Sequence, residues 1–139
     1  MSDTPADFEE IEHTADWALR VRGVDLRELL SHAARGMSSL LVSDLETVPA
    51  DVWRQVELDA LDAESLLVGW LGELAYWAES GLLVFREYDL TEVSPTHLRA
   101  TLRGSRVPGL QKHIKAVTYH NLKIVATGDG LETTIVFDV

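Results

Sequence analysis

The order in which hydrophobic periodicity changes along this chain restricts its fold more than any other feature. Trp17-Ala18-Leu19-Arg20-Val21-Arg22 alternates apolar and polar with period two and stops at Gly23, the pattern of a half-buried strand. The period then lengthens. Leu26, Leu29, Leu30, Ala33, Met37, Leu40 and Leu41 recur at three and four, which gives a helix one apolar face. Asp25 followed by Glu28 opens that helix as a capping-box variant. Alternation returns between Val52 and Ala60. A second helix starts near Asp62, with Leu66, Leu67, Trp70, Leu71, Leu74 and Trp77 as a broad stripe and Gly81 as its stop.

Beyond Gly81 the chain is strand-rich. Segments 82–93 and 97–103 flank the turn Ser94-Pro95-Thr96, and 104–113, with Pro108-Gly109, reads as a loop. Segments 115–127 and 131–139 flank Gly128-Asp129-Gly130, a hairpin signal. The order βαβα followed by a run of strands predicts an α+β fold, with two main helices packed on one side of a mainly antiparallel sheet. A length of 139 residues suits a single domain over 1–139, with 1–7 expected as a disordered N-terminal tail.

Several classes fall away. No apolar run reaches the ~18 residues of a membrane span, and the first residues lack the basic-then-apolar pattern of a secretory signal. Cysteine is absent, which excludes disulfides, thiolate metal sites and a cysteine nucleophile and fits a cytoplasmic location. The net charge of −11 argues against a phosphate-binding surface. Yet 94–128 contains no Asp or Glu and holds Arg99, Arg103, Arg106, Lys112, Lys115 and Lys123, with His97, His113 and His120 among them. A local excess of this kind can steer an anionic ligand or acidic partner to one edge, although a solvated surface accounts for it equally well.

Three segments carry candidate chemistry. In the last strand Leu131, Thr133, Ile135, Phe137 and Val139 share one face, and Glu132, Thr134, Val136 and Asp138 share the other. The Asp138 side chain and the α-carboxylate of Val139 are held close together, and such groups repel unless a cation sits between them. Oxygen ligands of this kind suit Ca²⁺, Mg²⁺ or Mn²⁺; a solvated terminus is the plainer alternative. The run Glu12-His13-Thr14-Ala15-Asp16 lies at the mouth of the first clear strand, where Asp16 is the stronger candidate and His13 the reserve. A capped turn explains the same residues. In Lys115-Ala116-Val117-Thr118-Tyr119-His120, Lys115 can face phosphate and His120 can act as acid or base, though either can be a plain surface residue. No glycine-rich phosphate loop, zinc spacing or serine-centred elbow is present.

Taken together, IEHTADWALRVRG, DLRELLSHAARGM, ESLLVGWLGELAYW, IKAVTYHNLKI and the ending TTIVFDV resemble the archease family from about residue 10 onward. The resemblance implies an α+β fold and an activator rather than an enzyme. The partner it implies is a GTP-dependent RNA ligase of tRNA splicing and RNA repair, whose active-site histidine is guanylylated more readily with archease present. RNA would be met mostly through the ligase. The family's metal ligands fall on Asp16, Asp138 and the Val139 carboxylate, and a lysine important in the family falls on Lys115. Trp17 departs from the family pattern, which more often has a small aliphatic residue there. Two other readings stand beside this one. The first is a chaperone-like modulator of tRNA-modifying enzymes such as methyltransferases; the second is a metal-dependent hydrolase using His120 as base.

Overall fold

A computed structural model of the chain describes residues 7–12 and 17–139. The elements follow in the order β1 (Phe8–Glu12), β2 (Trp17–Gly23), α1 (Leu26–Leu41), a 3-10 turn (Leu45–Thr47), β3 (Val52–Asp59), α2 (Ala63–Gly81), β4 (Leu83–Ser94), β5 (His97–Arg106), β6 (Ala116–Val117), β7 (Val125–Thr127) and β8 (Gly130–Asp138). The α+β expectation holds, but the strands form two antiparallel sheets. One has the order β1-β2-β8-β6, with β7 also on β8; the other has the order β3-β5-β4.

Both helices begin where the sequence places them. Asp25 accepts from the Glu28 N–H at 2.9 Å, and the Glu28 carboxylate reaches back to the Val24 N–H at 3.1 Å. Asp62 accepts from the Ser65 N–H at 2.7 Å, and these bonds hold its carboxyl below the ordinary range. The C-terminus of α2 differs from expectation. Gly81 is still helical, and Leu82 takes the left-handed conformation at φ 55°, its N–H donating to the Ala78 carbonyl.

One core joins the layers. Helix α1 packs on β2 of the first sheet and β4 of the second, while α2 packs on α1, β4 and β6. Leu29, Leu30, Ala33, Met37 and Leu41 from α1 meet Leu66, Leu67, Trp70, Leu71 and Leu74 from α2, all buried. Trp70 satisfies its indole by donating to the Leu30 carbonyl at 2.9 Å. Tyr88 from β4 donates to Ser38 Oγ at 2.8 Å, and burial pushes its hydroxyl pKa up.

Three boundaries depart from the sequence reading. Strand β1 was not expected; its edge pairing on β2 runs from Phe8↔Val21 to Glu12↔Trp17. Asp7 is anchored too, its carbonyl accepting from the Arg22 N–H at 3.0 Å, whereas 1–6 lie outside the described residues. Strand β5 continues to Arg106, so the loop starts later than residue 104. Segment 115–127 is not one strand. Strands β6 and β7 both pair with β8, and 118–124 leaves the sheet between them through a turn in which the Leu122 N–H meets the Tyr119 carbonyl and Asn121 sits at φ 50°.

Candidate functional site

Strand β8 is flanked by β2 on one side and by β6 and β7 on the other, so its C-terminal end is held from both directions. Trp17 faces Phe137 in β2–β8, and Ala116 faces Asp138 in β6–β8. The Lys115 N–H donates to the Asp138 carbonyl at 2.8 Å. Phe137 is fully buried and anchors the end of the strand, while the next side chain, Asp138, is exposed on the opposite face. Among the described residues no cation or donor pairs with the Asp138 carboxylate. Val139 is half-buried against the core.

The other candidates divide. Lys115 is brought to the same strand end by its backbone bond, with an exposed side chain. His120 lies in the excursion, its N–H on Thr118 Oγ1 at 3.2 Å and its Nε2 3.3 Å from the Asn121 amide nitrogen. Thr118 ties that excursion down by donating both N–H and hydroxyl to the Val136 carbonyl, at 3.0 and 2.9 Å. Asp16 and His13 lie outside the described residues. Trp17, the chain neighbour of Asp16, is opposite Phe137, the chain neighbour of Asp138.

Trp17 also has a cationic partner. The Lys112 ammonium lies 3.7 Å from its ring centroid and 4.0 Å from Glu10 Oε1. Lys112 thus reaches from the β5–β6 loop to both β1 and β2.

The basic stretch does not form a basic edge. Its β5 residues run down the centre of the second sheet, with acids on both flanking strands. Asp59 faces His97 and Glu57 faces Arg99 from β3, while Glu92 faces Arg99 and Glu87 faces Arg103 from β4. Arg99 contacts Glu57 at 3.2 Å and Glu92 at 3.6 Å, Arg106 donates to the Gly81 carbonyl, and His113 meets Glu79 at 3.1 Å.

One grouping was missed in sequence. His97 Nδ1 is 2.8 Å from Asp59, and its Nε2 is 3.0 Å from Glu92 and 3.3 Å from Glu57. The bond to Asp59, then that to Glu92, raises the His97 pKa above its ordinary value. The Glu57, Glu92 and His97 ligand atoms lie within 4.8 Å of one another, a spacing that can hold a cation. Here the His97 ring and the Arg99 guanidinium already occupy these carboxylates. The hairpin register around Ser94-Pro95-Thr96 signals only the approach of Glu92, whereas Asp59 and Glu57 arrive through the non-local β3–β5 pairing.

Comparison with known proteins gives one answer. Residues 8–139 match the Archease protein family (MTH1598/TM1083). Protein archease of Methanosarcina barkeri is 32% identical, with 100% of both chains covered. That of Methanosarcina acetivorans is 33% identical, over 95% of each. The solution structure of Methanobacterium thermoautotrophicum protein 1598 superposes with a TM-score of 0.78 at 28% identity, covering 96% of this chain and 99% of that one. The crystal structure of a Thermotoga maritima protein described as an archease and possible chaperone superposes at 0.65 and 25% identity, covering 94% and 96%. The chain belongs to the archease family.

Proposed function

We propose that this protein is a cytoplasmic, non-enzymatic activator that binds a divalent cation and serves the active site of a GTP-dependent RNA ligase. It would promote guanylylation of the ligase's active-site histidine and so allow repeated turnover in tRNA splicing and RNA repair. The observation carrying this reading is the Asp138 carboxylate, exposed and unpartnered among the described residues at a strand end that is otherwise fixed on both sides. Hard oxygen donors of this type fit Ca²⁺, Mg²⁺ or Mn²⁺. Asp138, Asp16 and the Val139 carboxylate would hold the ion, and Lys115 would face the phosphates. The cation supplies charge neutralisation on a triphosphate, the main demand of phosphoryl-type transfer. The protein's own share is to present its carboxylates on a rigid strand end that a partner pocket can admit.

Multiple-turnover ligation with the cognate ligase tests this. Asp16→Ala and Asp138→Ala are expected to abolish activation beyond the first turnover, and wild-type activation by both would end the proposal. Appending residues after Val139 converts its carboxylate to an amide and is expected to weaken cation binding.

The description of the Thermotoga relative as a possible chaperone favours a second reading, a chaperone-like modulator of tRNA-modifying enzymes such as methyltransferases. Under it, both aspartate variants would still suppress aggregation of such an enzyme as well as wild type.

A further inference from the structure

We infer that Lys112 and Trp17 form a clasp that positions the proposed cation site, and this rests on the reading of Asp138 given above. The contacts close a circuit. Trp17 is paired with Phe137; Phe137 is bonded to Asp138; the Asp138 carbonyl accepts from the Lys115 N–H; and three residues back along the chain Lys112 returns to the Trp17 ring at 3.7 Å. Ile114, between the two lysines, is buried, so the returning segment is fixed at its middle as well as at both ends. Glu10, which faces Leu19 across β1–β2, has its Oε1 4.0 Å from the same ammonium.

The circuit encloses Asp138 and the residue from which the chain continues back to Asp16. Trp17 and Phe137 share the core face of the sheet, and Asp138 projects from the other. Lys112 therefore acts through the backbone, as a positioning residue. A flexible carboxylate loses entropy when it takes up an ion, and fixing the strand end beforehand removes part of that cost. Trp17 is what makes the clasp available, because a small aliphatic side chain offers no ring face for the ammonium.

Terbium(III) is a suitable probe, being a hard oxygen-seeking ion whose emission is sensitised by nearby tryptophan. Lys112→Met keeps the apolar stem and removes the charge. It is expected to weaken terbium binding about three- to tenfold, in line with a cation–π contact of about 1 kcal/mol. Lys112→Arg is expected to restore it, which a purely steric role would not produce. Hydrogen exchange in the metal-free protein supplies a second readout. The Lys115 and Thr118 amides should exchange faster in Lys112→Met, while amides of α1 and α2 do not change. Unchanged exchange, or terbium binding that is unchanged or tighter in Lys112→Met, overturns the clasp. If wild type binds no terbium that Asp138→Asn removes, the cation site itself fails; the exchange data then decide the clasp alone.

Discussion

Asp59 Oδ1 lies 2.8 Å from His97 Nδ1, and the two residues face one another across β3 and β5. Glu92 from β4 and Glu57 from β3 complete the surround, with Arg99 as the neighbouring cation. The folded pKa of His97 is raised above its unfolded value near 6.5. Its contribution to stability is therefore complete below that unfolded value and disappears as pH rises through the folded one. His97→Gln should lower the melting temperature more at about pH 6 than at about pH 9. Thermal melts of both proteins across this range check it, and equal losses at the two ends would show that the ring matters only for packing.

Gly104 is the position where the second sheet leaves no room for a side chain. A Cβ there would lie 2.0 Å from the Val84 carbonyl oxygen and 2.6 Å from the Phe85 Cα, both backbone atoms. Gly104→Ala should cost about 3 kcal/mol or more. At Gly72, inside α2, a Cβ meets nothing within 4 Å. Gly72→Ala should instead add about 0.5–1 kcal/mol. Urea unfolding midpoints of the pair give the comparison.

Trp70 is fully buried and its indole N–H serves the Leu30 carbonyl on the other helix. Trp70→Phe leaves that carbonyl without the bond and opens space beside Tyr88, whose ring stands edge-on at 6.4 Å. A loss of about 2–4 kcal/mol is expected. Denaturant titration would reveal it, with little change in the overall far-ultraviolet spectrum.

A cation bound by the native state alone must raise the melting temperature. At one hundred times the dissociation constant the gain is about 2.7 kcal/mol. Wild type should therefore melt higher in Ca²⁺ or Mn²⁺ than in chelator, and Asp138→Asn should show no such difference. An equal rise in the variant would place the ion elsewhere, and Glu57, Glu92 and His97 would then be the group to substitute next.

Helix starts and faces were legible because Asp25 and Asp62 cap locally and the apolar stripes repeat within one element. Strand β1 escaped notice because it is an edge strand. Of its core-facing residues Phe8 and Glu10, opposite Val21 and Leu19, only Phe8 is apolar, so no alternation marks it. The break in 115–127 was missed because β-branched residues stand on both sides of it, Val117 and Thr118 before and Ile124 and Val125 after. The turn between them has Asn121 at φ 50° and no glycine or proline to mark it. Charge read along the chain misled for a different reason. Arg99 and His97 have no acid nearby in sequence on their own strand, yet β3 and β4 bring acids to both. In the site, Asp138 and Lys115 could be picked by residue type, whereas Lys112 over Trp17 required the fold.

The place of β8 in its sheet has a consequence for biosynthesis. Residues 130–138 bridge β2 to β6 and β7, so the β1-β2 pair, β6 and β7 are not joined into one sheet until that segment is inserted. A nascent chain can form α1, α2 and the β3-β5-β4 sheet while β2 still lacks its neighbour on one side. Closure is a late, long-range event, of the kind that slows folding and leaves strand edges open in the meantime. Asp138 is delivered by that same closing segment, so the protein acquires its proposed binding end only as its architecture is completed.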